Sequence, residues 1–521
     1  MCAGSVGFYL LFLINTLGLS YNDDRSHLDI ARRVVEGLKP GLAQLGSVWL
    51  PLNHVLMLPF VWNDWMWHTG LAGSLQNMIA FVGTGILIAK FLEKMRVGIL
   101  GQIIGVLVFV LNINVLYLQS TAMTELVLLG TMTAGVYYLY LWTRDEQILN
   151  LIKSAFWIML ATLTRYDGWF LLVWAGGLVV IHTLSKNQKK QKFGEILKQV
   201  RNDMAKAEGA LILFLTLAGF GVALWFLWNQ LIFKDALYFA FGPFSAHAQQ
   251  EQLRTAGVLA TKGNILLSLK VYLYALLYNT YTFPAILALI GSIIILKDKL
   301  LGFGEKLATS ALLAPFVFNV LALFLGFSVL FVQGISGDTW FNVRYGVMLM
   351  PTIAIFIGFL VDRARDFRLL IIGLLAFVLF FAFVNFDAVT IDDARVGSSQ
   401  KNVSEVAGYL ADHAKDEKGF ILISAASHDA IIFSSGLPMK RFIHEGTSGY
   451  WQAATLLPDR WARWIIMRTY DENDLTWKFV SKTKGFAMYN KVASYPFADV
   501  YELQPQYLPM LITEPILGKQ R

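Results

Sequence analysis

Long apolar blocks, rather than short amphipathic runs, occupy most of the first three quarters of the chain. A helix of about 20 apolar residues crosses the hydrocarbon core of a membrane. Blocks of this kind, some slightly shorter, lie at residues 5–20, 69–91, 97–118, 124–142, 150–164, 168–184, 209–232, 275–296, 307–332, 345–361 and 369–387. The first block lacks a basic flank and a convincing cleavage site, which favours a retained span over a signal peptide. The pattern predicts an α-helical polytopic membrane protein with about eleven spanning helices.

Every second loop between these blocks is basic. Lys and Arg are enriched in the cytoplasmic loops of membrane proteins. The basic loops contain Lys90, Lys94 and Arg96, then Arg144 and Lys153, then Lys186, Lys189, Lys190, Lys192, Lys198, Arg201 and Lys206, then Lys297, Lys299 and Lys306, and finally Arg363, Arg365 and Arg368. We therefore predict a multi-pass cell-membrane protein with a cytoplasmic N-terminus and an extracytoplasmic tail.

The outward segments are too long to be simple connectors. Residues 21–68 and 233–264 predict amphipathic pieces that lie on the membrane, including a helix at 26–36. The tail alternates between helix-like and strand-like segments, which is typical of a small α/β domain. The predicted tail elements are a helix at 403–414 and strands at 420–424, 477–480 and 485–489. The predicted domains are a transmembrane domain at 1–387 and an extracytoplasmic α/β domain at 388–521.

Composition supports a membrane protein and argues against a nucleic-acid-binding protein and a disulfide-stabilised one. Of the 521 residues, 56% are hydrophobic and 15% are charged, and the mean hydropathy is +0.54. Soluble domains carry roughly 25% charged residues. The net charge of +7 is concentrated in short loops, so we expect membrane lipids and no nucleic acid as partners. The single cysteine, Cys2, excludes an intrachain disulfide framework.

The paired acids Asp23-Asp24 directly follow the first apolar block, on the predicted outer face. Two adjacent carboxylates at a membrane boundary repel each other, which is how a general base or a metal-binding pair is set up. The alternative is that both residues only mark a helix boundary, where acidic residues are common.

Charged residues recur at the outward ends of later spans. Glu125 begins the fourth span, where a buried charge needs a partner or a wet cavity. Arg165 and Asp167 lie in the next outward turn, and Arg344-Tyr345 precede the tenth span. A guanidinium group matches phosphate oxygens in bidentate geometry. The alternatives are a helix-dipole contact for Glu125, mutual pairing of Arg165 and Asp167, and ordinary snorkelling of Arg344.

The order of several short motifs carries a resemblance to a known family. Asp23-Asp24 open the first outer loop, and Ala31-Arg32 and Pro51-Leu52 follow. Together with the acid at the fourth span and the Arg-Tyr before the tenth, they resemble the GT-C superfamily of polyprenyl-phosphate-sugar glycosyltransferases. The chain looks most like the protein O-mannosyltransferases and the aminoarabinose transferases of lipid A. The resemblance covers roughly residues 1–387, including span count and orientation.

The resemblance implies a GT-C-like fold and an inverting glycosyltransferase with a polyprenyl-phosphate-linked sugar donor. It implies that Asp23 is the catalytic base that deprotonates an acceptor hydroxyl, and that Asp24 orients the acceptor or the sugar. Glu125 would support the site, and Arg344 would hold the leaving phosphate. The acceptor, whether lipid, glycan or protein, is left open.

The chain departs from the family in its phosphate contacts. The aminoarabinose transferases have a lysine before their Pro-Pro-Leu, whereas Trp49-Leu50 precede Pro51 here. His54 or Arg165 is predicted to supply this contact, with a structural role as the alternative for His54. The predicted substrate-binding set is Arg344, Tyr345, Arg165, Asp167, His54 and His27.

The tail contains aromatic residues beside a His-Glu pair. Aromatic rings stack on sugar faces, which makes His444, Glu445, Tyr450 and Trp451 a candidate acceptor surface. Packing in a core is the alternative, because large aromatics dominate cores and interfaces.

Cofactors and competing functions stay open on the sequence alone. No metal is required by these motifs, but Asp23, Asp24 and Glu125 would be the ligands of a divalent cation such as Mg²⁺ or Mn²⁺. A transporter or flippase of a lipid-linked glycan predicts broken or polar helices at the bilayer midplane, whereas the midspans here are mostly apolar. A non-catalytic glycan-binding scaffold is the third hypothesis.

Overall fold

The computed structural model describes residues 1–185, 193–243, 245–255, 257–397 and 403–515. Part of the third predicted basic loop lies outside the described residues, namely Lys186, Lys189, Lys190 and Lys192. The side chains of Lys198 and Arg201 in the same loop also lie outside them. Residues 244 and 256 of the second predicted outer loop and residues 398–402 and 516–521 of the predicted tail domain also lie outside them.

Helices dominate the described part of the chain. They are α1 Cys2–Ile14, α2 Asn22–Val35, α3 Leu52–Val61, α4 Asp64–His68, α5 Leu71–Lys94, α6 Ile99–Val110, α7 Ile113–Leu118, α8 Glu125–Asp145, α9 Ile148–Thr162, α10 Asp167–Ser185, α11 Phe193–Phe233, α12 Tyr238–Phe241, α13 Ala246–Thr255, α14 Ile265–Thr280, α15 Thr282–Lys297, α16 Phe303–Ser310, α17 Ala314–Leu325, α18 Met350–Arg363, α19 Arg368–Val384, α20 Val389–Val396, α21 Val403–His413, α22 Ala425–Ser434, α23 Gly449–Leu456, α24 Pro458–Trp461 and α25 Leu475–Val480.

Seven helical segments within the described residues are long and apolar enough to cross a membrane, or eight if α14 and α15, bent by 107°, count as one span. The seven are Leu71–Lys94, Glu125–Asp145, Asp167–Ser185, Met204–Phe233, Phe303–Leu325, Val343–Arg363 and Arg365–Val396. The chain is therefore a multi-pass membrane protein, and the predicted fold class is confirmed. The predicted count of about eleven spans is not confirmed, because α1, α6 and α9 are shorter than the roughly 20 residues that a span requires.

The candidate spans differ in how deeply they are buried. Glu125–Asp145 and Val343–Arg363 are the most buried of the seven, whereas Met204–Phe233 and Arg365–Val396 are the least buried. Glu125 is the first residue of one of these two most buried spans, and Arg344 is the second residue of the other. The interior of the helix bundle therefore contains the charged residues that the sequence places at span ends.

The chain divides into two compact units. The first, called the helical unit, contains Met1–Gly18, Ser47–Asn53 and Ser74–Ser398. The second, called the mixed unit, contains Leu19–Gly46, His54–Gly73 and Ser399–Arg521. Two pieces of the first predicted outer loop thus cluster with the tail, and α20 clusters with the spans. The division into independently folding domains at residue 387 stays a prediction.

The mixed unit is built on a five-stranded sheet. Its strands are β1 Phe420–Ile423, β2 Phe442–Ile443, β3 Ala462–Met467, β4 Tyr489–Ser494 and β5 Asp499–Leu503, in the order β2-β1-β3-β5-β4. β1 pairs in parallel with β2 and β3, and β5 pairs antiparallel with β3 and β4. All four side chains of β1 are buried, as expected for a central strand that is covered on both faces.

Several local predictions in the mixed unit can be compared with these elements. The predicted helix at 403–414 and strand at 420–424 agree with α21 and β1. The predicted strand at 477–480 is wrong, because the Asp474 side chain accepts hydrogen bonds from the Thr476 and Trp477 amides and so caps α25. The predicted strand at 485–489 is also wrong. A 3₁₀ turn occupies Lys484–Met488, and β4 begins at Tyr489.

Candidate functional site

Five charged side chains of the helical unit meet in one buried group, which we call the charged cluster. Its members are Glu125, Arg165, Asp167, Arg344 and Asp393. Four of them lie at or next to the N-terminal ends of three candidate spans, and Asp393 lies on α20. The sequence predicts Glu125, Arg165, Asp167 and Arg344 as site residues, and the structure brings these four together.

Glu125 is at the centre of the charged cluster. It is the first residue of α8 and is fully buried. Its Oε1 accepts hydrogen bonds from Arg165 Nη1 and from Arg344 Nε, each at 3.2 Å. Arg165 Nη1 also donates to Thr124 Oγ1 at 3.0 Å, beside the same helix end. One carboxylate oxygen therefore links the segments before α10 and α18.

Arg165 is held on its other side by Asp167 and by an aromatic ring. Arg165 Nε donates to Asp167 Oδ2 at 3.2 Å, and Asn319 Nδ2 donates to Asp167 Oδ1 at 3.0 Å. The Arg165 guanidinium carbon lies 4.6 Å from the centre of the Tyr345 ring, and that of Arg344 lies 5.4 Å from it. The two arginines thus share one carboxylate and one aromatic face, a cation–π arrangement.

Two glycines explain how the two Arg-Tyr segments approach their neighbours so closely. A Cβ atom on Gly168 would lie 2.3 Å from the Ala161 carbonyl oxygen, and one on Gly346 would lie 2.1 Å from the Ala275 carbonyl oxygen. Only glycine permits backbone contacts of this kind. The sequences Arg165-Tyr-Asp-Gly and Arg344-Tyr-Gly therefore combine a charged side chain with the close packing that fixes its position.

Asp393 is the member that sequence reasoning missed. Its side chain is fully buried, and its Oδ2 lies 3.8 Å from Arg344 Nη1. The last apolar block ends at 387, so the sequence assigned residue 393 to the tail domain. A usable signal was present, because Asp392-Asp393 follow the last apolar block as Asp23-Asp24 follow the first.

The charged cluster contains charges of both signs, with one carboxylate more than guanidinium groups, and helix ends add to its positive side. Two guanidinium groups lie among three carboxylates. The N-terminal ends of three spans add partial positive charge, because unpaired backbone amides point out of a helix N-terminus. Arg344 is only 3% exposed, which places it in an interior where an ion pair is screened little by water.

Asp23 and Asp24 belong to the mixed unit, in the first turn of α2. They begin a helix there rather than ending one, which agrees with the preference for acids at helix N-termini. Asp24 is fully buried, whereas Asp23 is partly exposed. Asp23 is therefore the more accessible carboxylate of the two.

The two predicted substrate histidines form a buried pair in the mixed unit. His27 on α2 and His54 on α3 place Nδ1 and Nε2 2.9 Å apart. Burial lowers the pKa of His54 well below its ordinary value, and the neighbouring His27 and Arg33 lower it further. The pair joins α2 to α3, and both rings lie inside the unit.

A second group of titratable side chains lies between α2 and α22, and no sequence motif predicts it. Asp29 on α2 is fully buried. Asp429 on α22 accepts a hydrogen bond from Ser26 Oγ at 2.6 Å and lies 3.6 Å from Arg33 Nη2. Burial, followed by the charge of Asp429, raises the pKa of Asp29 well above its ordinary range, and burial likewise raises the pKa of Asp429. The α2–α22 contact therefore favours protonated carboxyl groups.

The predicted acceptor residues of the tail are mostly interior. Tyr450 and Trp451 pack in the hydrophobic core of the mixed unit, and His444 is 3% exposed. Glu445 accepts hydrogen bonds from the Ala425 and Ala426 amides at 2.9 and 2.6 Å, so it caps the start of α22. These placements agree with the packing alternative, because the aromatic rings are enclosed rather than presented on a surface.

Metal binding has no preformed centre in the described part of the chain. No group of three or more His, Cys, Asp or Glu side chains among these residues is arranged to hold an ion. The proposal of a shared cation on Asp23, Asp24 and Glu125 stays a prediction.

The comparison with known proteins bears on the fold. No protein-family model matches the chain, and no curated protein matches it in sequence. Its fold is similar to those of solved structures, at low sequence identity. Among solved structures, ArnT from Cupriavidus metallidurans bound to undecaprenyl phosphate has a TM-score of 0.57 and 11% identity, covering 97% of this chain and 99% of that chain.

Two further structures complete the comparison. The apo state of the same ArnT gives a TM-score of 0.56 at 11% identity, with 97% of this chain and 99% of that chain covered. The apo oligosaccharyltransferase of Archaeoglobus fulgidus gives a TM-score of 0.47 at 9% identity, with 90% of this chain and 68% of that chain covered.

Proposed function

We propose that the protein is a membrane glycosyltransferase that moves a sugar from a polyprenyl-phosphate donor to an acceptor hydroxyl, with inversion, on the extracytoplasmic face. The observation that carries the proposal is the shared fold over nearly the whole length of ArnT, whose structure was determined with undecaprenyl phosphate bound. The charged cluster supports it, because two arginines at helix N-termini suit a phosphate group.

In the proposed reaction, Asp23 accepts the proton of the acceptor hydroxyl while that oxygen attacks the anomeric carbon. The bond between the anomeric carbon and the phosphate oxygen breaks, and the polyprenyl phosphate leaves with the bonding electrons. Asp23 fits the role of base because it is the accessible member of its pair, and buried Asp24 fits a role in orienting the acceptor or the sugar.

Arg344 is proposed to stabilise the negative charge that develops on the departing phosphate. Glu125 keeps the guanidinium in a fixed place through the bond to Nε. A preorganised cation is effective here because it needs no rearrangement at the moment of reaction. Arg165 is held in the same way by Glu125 and Asp167, so it is the second candidate phosphate contact.

The Asp23→Asn variant tests this proposal. We expect transfer from undecaprenyl-phosphate-linked sugars in proteoliposomes to fall by about 10³-fold, because the acceptor proton loses its base. Binding of undecaprenyl phosphate, measured by thermal shift, should persist. The matched variant Asp24→Asn should reduce transfer less. Unchanged transfer in Asp23→Asn would show that the base has been assigned to the wrong residue.

A flippase of a lipid-linked glycan is the second candidate, and one observation favours it. The 107° break between α14 and α15 resembles the discontinuous helices of transporters. A flippase would move a fluorescent lipid-linked glycan across the membrane without acceptor, and Asp23→Asn would leave that movement intact. A non-catalytic scaffold would bind the lipid-linked glycan, but it would neither transfer the sugar nor move the lipid across the membrane.

A further inference from the structure

Asp393 lies on a short helix that has no place in the predicted topology. α20 follows the last apolar helix, and only one of its two adjacent acids points inward: Asp393 is fully buried and Asp392 is exposed. A buried carboxylate is costly unless a cation compensates for it. The compensating cation is Arg344, whose Nη1 lies 3.8 Å from Asp393 Oδ2.

Hydrogen bonds tie α20 to the 3₁₀ turn Val343–Leu349, which carries Arg344 and is called the Arg344 segment. Asn114 Oδ1 accepts from the Thr390 amide and from Thr390 Oγ1, at 3.1 and 2.9 Å. Asn114 Nδ2 donates to the Asn279 carbonyl oxygen at 3.2 Å, and Asn279 Nδ2 donates to the Val343 carbonyl oxygen at 2.7 Å. The start of α20 and the residue before Arg344 are therefore fixed to the same pair of asparagines.

The far end of α20 is fixed by close packing. A Cβ atom on Gly397 would lie 2.6 Å from the Trp340 carbonyl oxygen, so the chain needs glycine at this position. Trp340 lies four residues before Arg344. Both ends of α20 are thus anchored to the backbone that presents Arg344.

Arg344 therefore contacts a carboxylate on each of two sides. Glu125 Oε1 accepts from Nε at 3.2 Å, and Asp393 lies beside Nη1. A planar guanidinium group between two fixed carboxylates has little freedom to rotate. Such prior fixation reduces the entropy that is lost when a ligand binds.

We propose that Asp393 is a positioning residue that fixes the Arg344 guanidinium in the orientation required to receive the donor phosphate. The inference rests on the proposed function, because it names a residue that acts on the same phosphate contact. Asp393 acts through Arg344 and takes no part in the bond-making step.

A double-mutant cycle tests the inference, with transfer from undecaprenyl-phosphate-linked sugars as the readout. Asp393→Asn should raise the KM for the donor by roughly tenfold to hundredfold, the size of effect expected when a contact is misplaced by about 1 Å. In the Arg344→Gln background, Asp393→Asn should have no further effect, because the residue that it positions is gone. Asp392→Asn, on the exposed side of α20, is the matched control and should match the wild type.

A second readout separates positioning from folding. The Asp393→Asn variant has one carboxylate fewer beside Arg344, so we expect its thermal stability to fall. Asp393→Glu keeps the charge, so it should recover part of the affinity for undecaprenyl phosphate. Binding of undecaprenyl phosphate, measured by thermal shift, should weaken in Asp393→Asn and recover partly in Asp393→Glu.

The outcomes distinguish this inference from the proposed function. Additive effects of the Asp393 and Arg344 substitutions, or an unchanged donor KM in a destabilised Asp393→Asn, would overturn the positioning role while the wild type still transfers sugar. A wild type that neither binds undecaprenyl phosphate nor transfers sugar would overturn the proposed function and this inference with it.

Discussion

The two units of the protein hold their buried charges in different ways. In the helical unit, each carboxylate of the charged cluster lies beside a guanidinium group, and Glu125 serves two of them. In the mixed unit, Asp29 and Asp429 lie on packed helices, with Arg33 as the cation near both. Burial raises the pKa of Asp29 and of Asp429, so the protonated form of each carboxyl group is favoured.

This difference separates a fixed electrostatic site from a pH-dependent one. Ion pairs hold the guanidinium groups of the charged cluster in place, since each of its arginines lies beside two carboxylates. Buried carboxyl groups that gain stability from a proton respond to pH instead, and so do the neutral buried histidines. We therefore expect substitutions in the charged cluster to act through geometry, and those between α2 and α22 to act through titration.

The largest effect is expected from Glu125→Gln, which removes the charge that both arginines share. Breaking a buried ion pair costs roughly 3 kcal/mol of folding free energy at the low end. Transfer should fall by roughly 10²–10³-fold, because the phosphate contact loses its fixed position. Thermal unfolding of the purified protein and the transfer assay measure the two effects.

Glu208→Gln, at an exposed position on α11, is the control for Glu125→Gln and should behave like the wild type. If Glu125→Gln keeps full transfer and stability, the arginines do not depend on their shared carboxylate. The contrast between the two units would then disappear.

Gly346→Ala tests the geometry of the charged cluster without changing any charge. The added Cβ would meet the Ala275 carbonyl oxygen at 2.1 Å, so the 3₁₀ turn Val343–Leu349 that carries Arg344 must shift. We expect a loss of roughly 1–3 kcal/mol in stability and about 10²-fold in transfer. Gly373→Ala in α19, where nothing lies within 4 Å of the new Cβ, should leave both unchanged. Equal behaviour of the two alanine variants would contradict this explanation.

The sequence predicts more of the helical unit than of the mixed unit, for a physical reason. A bilayer forces apolar blocks into helices and places their ends on two faces. Glu125, Arg165, Asp167 and Arg344 stand at block ends that the alternating loop charges assign to one face. The contact among these four side chains follows from the placement of the span ends on one membrane face.

Contacts that depend on the chain returning to a distant element were not predictable. His27 and His54 are 27 residues apart, and Ser26 and Asp429 are 403 residues apart. Asp393 needs the turn after α19 to bring α20 back to the Arg344 segment. The strand predicted at 477–480 failed for a more local reason, since a single capping aspartate outweighed the β propensity of its aromatic and branched residues.

The smallest effect, and the one most specific to the mixed unit, is expected from Asp29→Asn. A raised pKa in the folded state means that the carboxyl group stabilises the α2–α22 contact fully below its ordinary pKa of about 4. That stabilisation is lost as the pH rises through the raised value. The lowered pKa values of His54 and His444 act in the opposite sense, with stability lost as the pH falls below about 6.5.

Asparagine mimics the protonated carboxyl group, so Asp29→Asn should be more stable than the wild type at pH 8 by on the order of 1 kcal/mol. The advantage should shrink toward pH 4, because the wild-type carboxyl group is then protonated as well. Hydrogen exchange of the α2 and α22 amides from pH 5 to pH 8 measures this difference, after correction for the intrinsic exchange rate. Asp412→Asn, exposed on α21, is the control. Parallel curves for Asp29→Asn and the wild type would mean that Asp29 stays ionised and paired with Arg33.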